Sequence, residues 1–169
     1  WHGDTSRMYA VGSAHRSEAL NLIEATRQAL KHGMDMIEPG ITLGDVGHAI
    51  ETYTKTTGFA LARQYCGHGI GTVFHGPPVV PHFGAPGIGI ILREGMFLTL
   101  EPILCSGEIA AQVLNDGWTT INPAGHLSAQ FEHTIGICSN GITVFTDPQA
   151  KQAQLLLNDM EGSQRSLKS

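Results

Sequence analysis

Residues 96–104 read Met-Phe-Leu-Thr-Leu-Glu-Pro-Ile-Leu, an apolar run whose one charge is Glu101. Such a run, entered through the Glu94-Gly95 turn, reads as a buried strand. Burying an unpaired carboxylate is expensive, so the fold must give Glu101 a counterpart. Asp4, beside the β-like segment 5–11, and Glu132, inside the strand candidate 129–138, pose the same demand. Few cations are at hand, with Arg7, Arg63 and Arg93 the nearest candidates. Either each acid pairs with an arginine or caps backbone, or a single bound cation serves several of them. Spacing alone leaves both open.

A fourth group belongs to this question. The stretch Tyr65–His75 reads Tyr-Cys-Gly-His-Gly-Ile-Gly-Thr-Val-Phe-His and carries almost no charge. Glycines on both sides of His68 leave the backbone there free of side-chain bulk, which suits a close approach by a metal or a substrate. Two Glu, one Asp and one His make an oxygen-rich set with a single nitrogen. That set suits Mn, Fe(II), Co or Zn better than a thiolate-loving ion.

The rest of the chain, two helices and then a run of antiparallel strands, predicts an α+β fold. A helix is expected over about 15–34, capped by Ser13 or Ser17, with Ala19, Leu20, Ile23, Ala29 and Leu30 on its buried face. Thr42 with Asp45 makes a capping-box variant for a second helix, whose stripe is Leu43, Val46, Ala49, Ile50 and Tyr53 and whose end is Gly58. His15, His32 and His48 on these helices have no second ligand one turn on and read as surface residues. Strands follow at 59–66, 96–104, 118–121, 129–138 and 141–146, with 76–89 read as a long irregular loop holding several prolines. Beyond residue 148 the pattern is lost, apart from a short helix suggested by Leu155–Leu157.

The 169 residues favour one domain. A net charge of −5 without a Lys/Arg run argues against nucleic acid or an anionic membrane as partner. Cys66, Cys105 and Cys138 are sparse and lack a CxxC pair, as expected of buried free thiols in a reducing compartment. No run of about 18 apolar residues occurs, so a cytoplasmic location is expected.

Six motifs in order carry a resemblance: His2-Gly3-Asp4-Thr5-Ser6; Tyr65-Cys66-Gly67-His68-Gly69-Ile70-Gly71; Phe74-His75 with Pro78 and His82; Gly95–Pro102; Asp116-Gly117-Trp118; and Ser128–Thr134. Over roughly 1–146 the chain resembles the type I methionine aminopeptidases, metal-dependent enzymes with the pita-bread fold. Only 26 positions lead from His75 to Glu101 and 31 from Glu101 to Glu132, leaving no room for the type II helical insertion.

The resemblance implies removal of the initiator methionine from the N-terminal peptide of nascent proteins, by a monomer. It implies metal ligands at Asp4, His68, Glu101 and Glu132, with Asp4 and Glu132 bridging and Glu101 also shuttling the proton. His75 would hydrogen-bond the substrate, Phe74 and Trp118 would wall the methionine pocket, and His82 and His133 would orient neighbours.

On this reading residues 1–148 form the C-terminal portion of a pita-bread catalytic domain and 149–169 a divergent tail. The family's first metal-binding Asp would then lie upstream of Trp1. Two ions bind in the family, and this chain is expected to hold at most one tightly and to be weakly active or inactive. Two alternatives are an impaired pita-bread protein serving as an interaction domain and, less favoured, a prolidase-like enzyme. The latter typically carries Glu-Asp where this chain has Glu132-His133.

Overall fold

The computed structural model describes residues 1–147 apart from His15. Its helices are α1 (Ser17–Asp35) and α2 (Leu43–Thr57). Its strands are β1 (Ala60–Leu61), β2 (Cys66–Gly69), β3 (Gly76–Pro81), β4 (Phe97–Leu100), β5 (Ile103–Cys105), β6 (Gln112–Val113), β7 (Thr120–Ile121), β8 (Ser128–Gln130), β9 (His133–Cys138) and β10 (Gly141–Val144). They form a five-stranded sheet ordered β10-β9-β4-β2-β3, a three-stranded sheet β1-β5-β8 and the hairpin β6-β7. Every pairing is antiparallel, as the α+β expectation requires. The tail from residue 149 and the helix suggested at Leu155–Leu157 lie outside the described residues.

α2 begins as its local signals dictate. The Thr42 hydroxyl accepts from the Asp45 N–H, the Asp45 carboxylate accepts from the Thr42 N–H, and Gly58 closes the helix at φ 77°. α1 departs from expectation in two ways. Its N-cap is Arg16 without a side-chain cap, and its buried face is Leu22, Ala25, Thr26, Ala29, Leu30 and Gly33, with Leu20 exposed. Gly33 sets that rotation, because a methyl there would lie 2.7 Å from side-chain carbons of both Ile50 on α2 and Leu100 on β4. The core therefore lies between the helix pair and β4, β5, β8 and β9, and includes Leu22, Val46, Ile50, Leu98, Leu100, Leu104 and Ile135.

Proline and the sheet edges account for the strand corrections. The segment 76–89 is not all loop, since Gly76–Pro81 forms β3. β3 occupies a sheet edge, where Pro77, Pro78 and Pro81 need not donate to an outer neighbour. The segment 59–66 gives two short strands in different sheets, β1 and the start of β2. Residues 5–11 form no strand beyond an isolated bridge of Ser6 with Glu132.

The two apolar runs that hold the buried acids both break. β4 and β9 pair up to Leu100 opposite His133, and β5 and β8 resume with Ile103 opposite Gln130. The register is the same on both sides of the gap, so Glu101 and Glu132 lie opposite one another where the ladder is interrupted. Pro102, which has no N–H, sits in that gap.

β2 lies tightly between β3 and β4. A methyl group at Gly67 would collide with the Thr99 carbonyl oxygen, and one at Gly69 with the Pro77 carbonyl oxygen. Both obstacles are backbone and neither can rotate away. Gly67→Ala is expected to destabilise the chain by about 3 kcal/mol, the upper range for overpacking. Urea unfolding checks this, and a loss under about 1 kcal/mol would contradict the packing described.

Candidate metal centre

Four elements converge on the interrupted ladder. Residues 2–6 are fastened across the start of β9. The Asp4 N–H donates to Thr134 Oγ1 at 2.8 Å, and the Thr134 hydroxyl donates back to the Asp4 carbonyl at 2.8 Å. Thr5 Oγ1 donates to the Glu132 carbonyl, and Ser6 exchanges backbone hydrogen bonds with Glu132. His2 N–H donates to the Gly71 carbonyl at 2.8 Å, which ties the segment to the loop after β2. Asp4 thus reaches the site although 130 positions separate it from Thr134.

Thr99 is opposite Thr134 in the β4–β9 register. Its hydroxyl accepts from the His68 N–H at 3.0 Å and donates to Glu101 Oε1 at 2.8 Å. Gln130 Nε2 donates to Glu101 Oε2 at 3.3 Å. A paired threonine on each strand therefore fastens one pair of site residues: Thr99 holds His68 to Glu101, and Thr134 holds Asp4 beside Glu132. Sequence reasoning assigned no role to Thr99, Thr134 or Gln130, although all three lie within the motifs Gly95–Pro102 and Ser128–Thr134.

The tautomer of His68 follows from one contact. Its Nδ1 lies 3.1 Å from the Gly69 carbonyl oxygen. A carbonyl only accepts, so Nδ1 carries the proton. The Nε2 lone pair then faces Asp4 Oδ2 and Glu101 Oε1, each 3.7 Å away. A ring nitrogen fixed by a backbone carbonyl on its far side is the usual arrangement of a metal-binding histidine.

The acids are held under stress. Glu132 is 5% exposed, and its Oε1 has no hydrogen-bond partner. Burial, then the neighbouring Glu101 and Asp4 carboxylates, push its pKa to about 8. Burial is also the main cause raising Glu101, with Asp4 adding to it and the Thr99 hydrogen bond opposing it. Like charges directly opposite across strands are unfavourable, and no arginine enters the cluster among the described residues. One ligand atom each from His68, Glu101 and Glu132 lies within 4.8 Å of the others, and the same holds for Asp4, His68 and His75. A desolvated carboxylate oxygen without a donor, two more acids and a nitrogen lone pair turned toward them fit a divalent cation.

The aromatic residues gather on one side. His75 stands edge-on to His68 at 4.5 Å between ring centroids, and Phe74 contacts His75 at 4.4 Å, His68 at 5.9 Å and His2 at 5.4 Å. Trp118 lies between β6 and β7 and is 88% exposed, and among the described residues its ring stacks on no other aromatic. His133 Nδ1 is 2.8 Å from Thr146 Oγ1. His32 and His48 are exposed as expected, His32 stacking on Tyr53. His15 lies outside the described residues. Of the cysteines, all free, Cys105 is buried but Cys66 is exposed, against expectation. An apolar groove of about 240 Å³ between the start of α2 and residues 79–90 contains none of the clustered residues.

Fold and site together define a candidate metal centre carried on an α+β scaffold. Residues 1–138 match metallopeptidase family M24, and the chain belongs to that family. It is 44% identical over 147 residues to a methionine aminopeptidase of Rickettsia prowazekii, a match covering 86% of this chain and 56% of that protein. The crystal structure of methionine aminopeptidase from Rickettsia prowazekii superposes with a TM-score of 0.84 at 43% identity, over 87% of this chain and 59% of that one. That from Thermotoga maritima gives 0.82 at 41% identity, over 86% of this chain and 58% of that one. The chain thus shares their pita-bread fold over little more than half of their length. Membership of a metallopeptidase family implies a divalent metal. Among the described residues no helix is long and apolar enough to cross a membrane.

Proposed function

We propose that this chain is a metal-dependent aminopeptidase that removes methionine from the N-terminus of nascent proteins, acting as a monomer in the cytoplasm. One observation carries the proposal. The partnerless, buried Glu132 carboxylate faces Glu101 across the broken ladder beside the His68 lone pair. The relatives named methionine aminopeptidases supply the substrate class.

Asp4, His68, Glu101 and Glu132 would hold the cation, which is Co, Mn, Fe(II) or Zn on the chemistry of these donors. Three carboxylates and one nitrogen suffice to hold one ion tightly, where the family holds two. The bound ion supplies Lewis acidity, polarising the scissile carbonyl and making hydroxide available near neutral pH.

The chain's own groups do the rest. Glu101, anchored at both carboxylate oxygens by Thr99 and Gln130, takes up the proton of the attacking water and returns it to the leaving amine. His75, exposed beside His68, donates to the substrate carbonyl as negative charge develops there. Phe74 and Trp118 would wall the methionine slot; both rings are exposed, and an aromatic surface suits a thioether.

Incubation of the folded chain with Met-Ala-Ser and added Mn²⁺ is expected to release free methionine, in an amount that falls when a chelator is present. No release at any metal level would favour a binding role for the fold. Cleavage of an Xaa-Pro dipeptide instead would favour a prolidase-like enzyme.

A further inference from the structure

We infer that His82 is a positioning residue for the candidate centre, holding the backbone of Glu101 at the one place where neither sheet holds it. The inference rests on the reading of Glu101 as a ligand. β4 ends at Leu100, β5 begins at Ile103, and Pro102 offers no N–H. Glu101 N–H donates to no strand carbonyl; it donates to His82 Nε2 at 3.1 Å.

His82 directly follows the edge strand β3 and is 1% exposed, one of the most buried polar side chains described. Accepting at Nε2 places the ring proton on Nδ1. That Nδ1 has no partner. An apolar side chain of similar size would fill the same space without a buried, unpaired donor. The Glu101 hydrogen bond is what the imidazole provides in return, among the described residues.

The hold has a geometric consequence. Thr99 fixes Oε1 and Gln130 fixes Oε2, but both act on the carboxylate, at the far end of a flexible side chain. His82 fixes the peptide from which that side chain starts. Releasing it lets residues 101–102 drift in the ladder gap, and with them the 3.7 Å approach of Oε1 to His68 Nε2. Outer partners that orient a ligand typically alter metal affinity by about 10–100-fold when removed.

The test compares the full chain with His82→Leu, which lacks an acceptor, and His82→Gln, whose Oε1 can replace Nε2. Mn²⁺ binding is expected to weaken about tenfold in His82→Leu and to recover most of its strength in His82→Gln. Exchange of the Glu101 amide proton should quicken in the leucine variant alone. In the unaltered chain, ring ¹⁵N shifts should show His82 protonated at Nδ1 and bare at Nε2, a reading that needs no variant to fold. Protonated Nε2, or wild-type Mn²⁺ affinity in a folded His82→Leu, overturns the inference. If the unaltered chain binds no Mn²⁺, the reading of the centre fails, and the Glu101 exchange rates still decide His82. Rates equal in all three proteins count against it.

Discussion

Replacing Glu101 with glutamine is expected to lower the turnover of Met-Ala-Ser by about 10²–10⁴-fold at saturating Mn²⁺, the range for losing a positioned acid–base group. KM should change much less, because glutamine keeps the length of the side chain and an oxygen for Thr99 to donate to. The charge is what disappears, and with it the ability to accept a proton. In the metal-free chain burial raises the Glu101 carboxyl, and a group that takes and returns a proton works best when its pKa lies near the operating pH. Measured kcat across pH 6–9 checks this. A variant within tenfold of the parent would place the proton transfer elsewhere.

The second large effect concerns the metal-free chain, whose stability should fall as pH rises from 6.5 to 8. A carboxyl with a raised folded pKa binds its proton more tightly in the folded chain than in the unfolded one. Its contribution is therefore complete below the unfolded value of 4.5 and is lost as pH climbs to the folded value of about 8. His82 works in the opposite sense. Burial lowers it from 6.5 to about 4, so its contribution is complete above pH 6.5 and is lost on acidification.

Between 4.5 and 6.5 the two slopes offset. Above 6.5 only the Glu132 slope remains, and the loss by pH 8 is about 2 kcal/mol, or roughly 4–8 °C in Tm for a chain of this size. Glu101, raised by the same burial, acts in the same direction. Added Mn²⁺ should reverse the trend, since binding the cation expels the proton that Glu132 carries and stabilises the folded state by mass action. Glu132→Gln should flatten the slope and abolish the rescue. Thermal melts at pH 5, 6.5 and 8, with and without Mn²⁺, read all three effects. A Tm that rises toward pH 8 without metal would show that Glu132 is ionised without help.

What could be read without coordinates was local or came from ordered motifs. Thr42, Asp45 and Gly58 bound α2 because capping is decided within a few residues of the helix end. Asp4, His68, Glu101 and Glu132 stood out because an acid in an apolar strand, or a histidine between glycines, is anomalous in its own neighbourhood. The α+β class followed from two helical periods and then repeated strands.

Other features depended on partners far away in sequence. The run Met96–Leu104 looks like one strand, yet it serves two sheets. Its break depends on Glu132 lying opposite Glu101, on Ser6 capturing the Glu132 backbone and on His82 receiving the Glu101 N–H. β3 escaped notice because prolines argue against a strand unless it is known to lie at an edge.

Glu101 as the lone charge of the apolar run 96–104 was therefore determined by the sequence alone, together with its need for a counterpart. The tertiary structure decided what that counterpart can be. Setting a second carboxylate opposite it, and leaving that one desolvated without a donor, makes a cation the species that balances both.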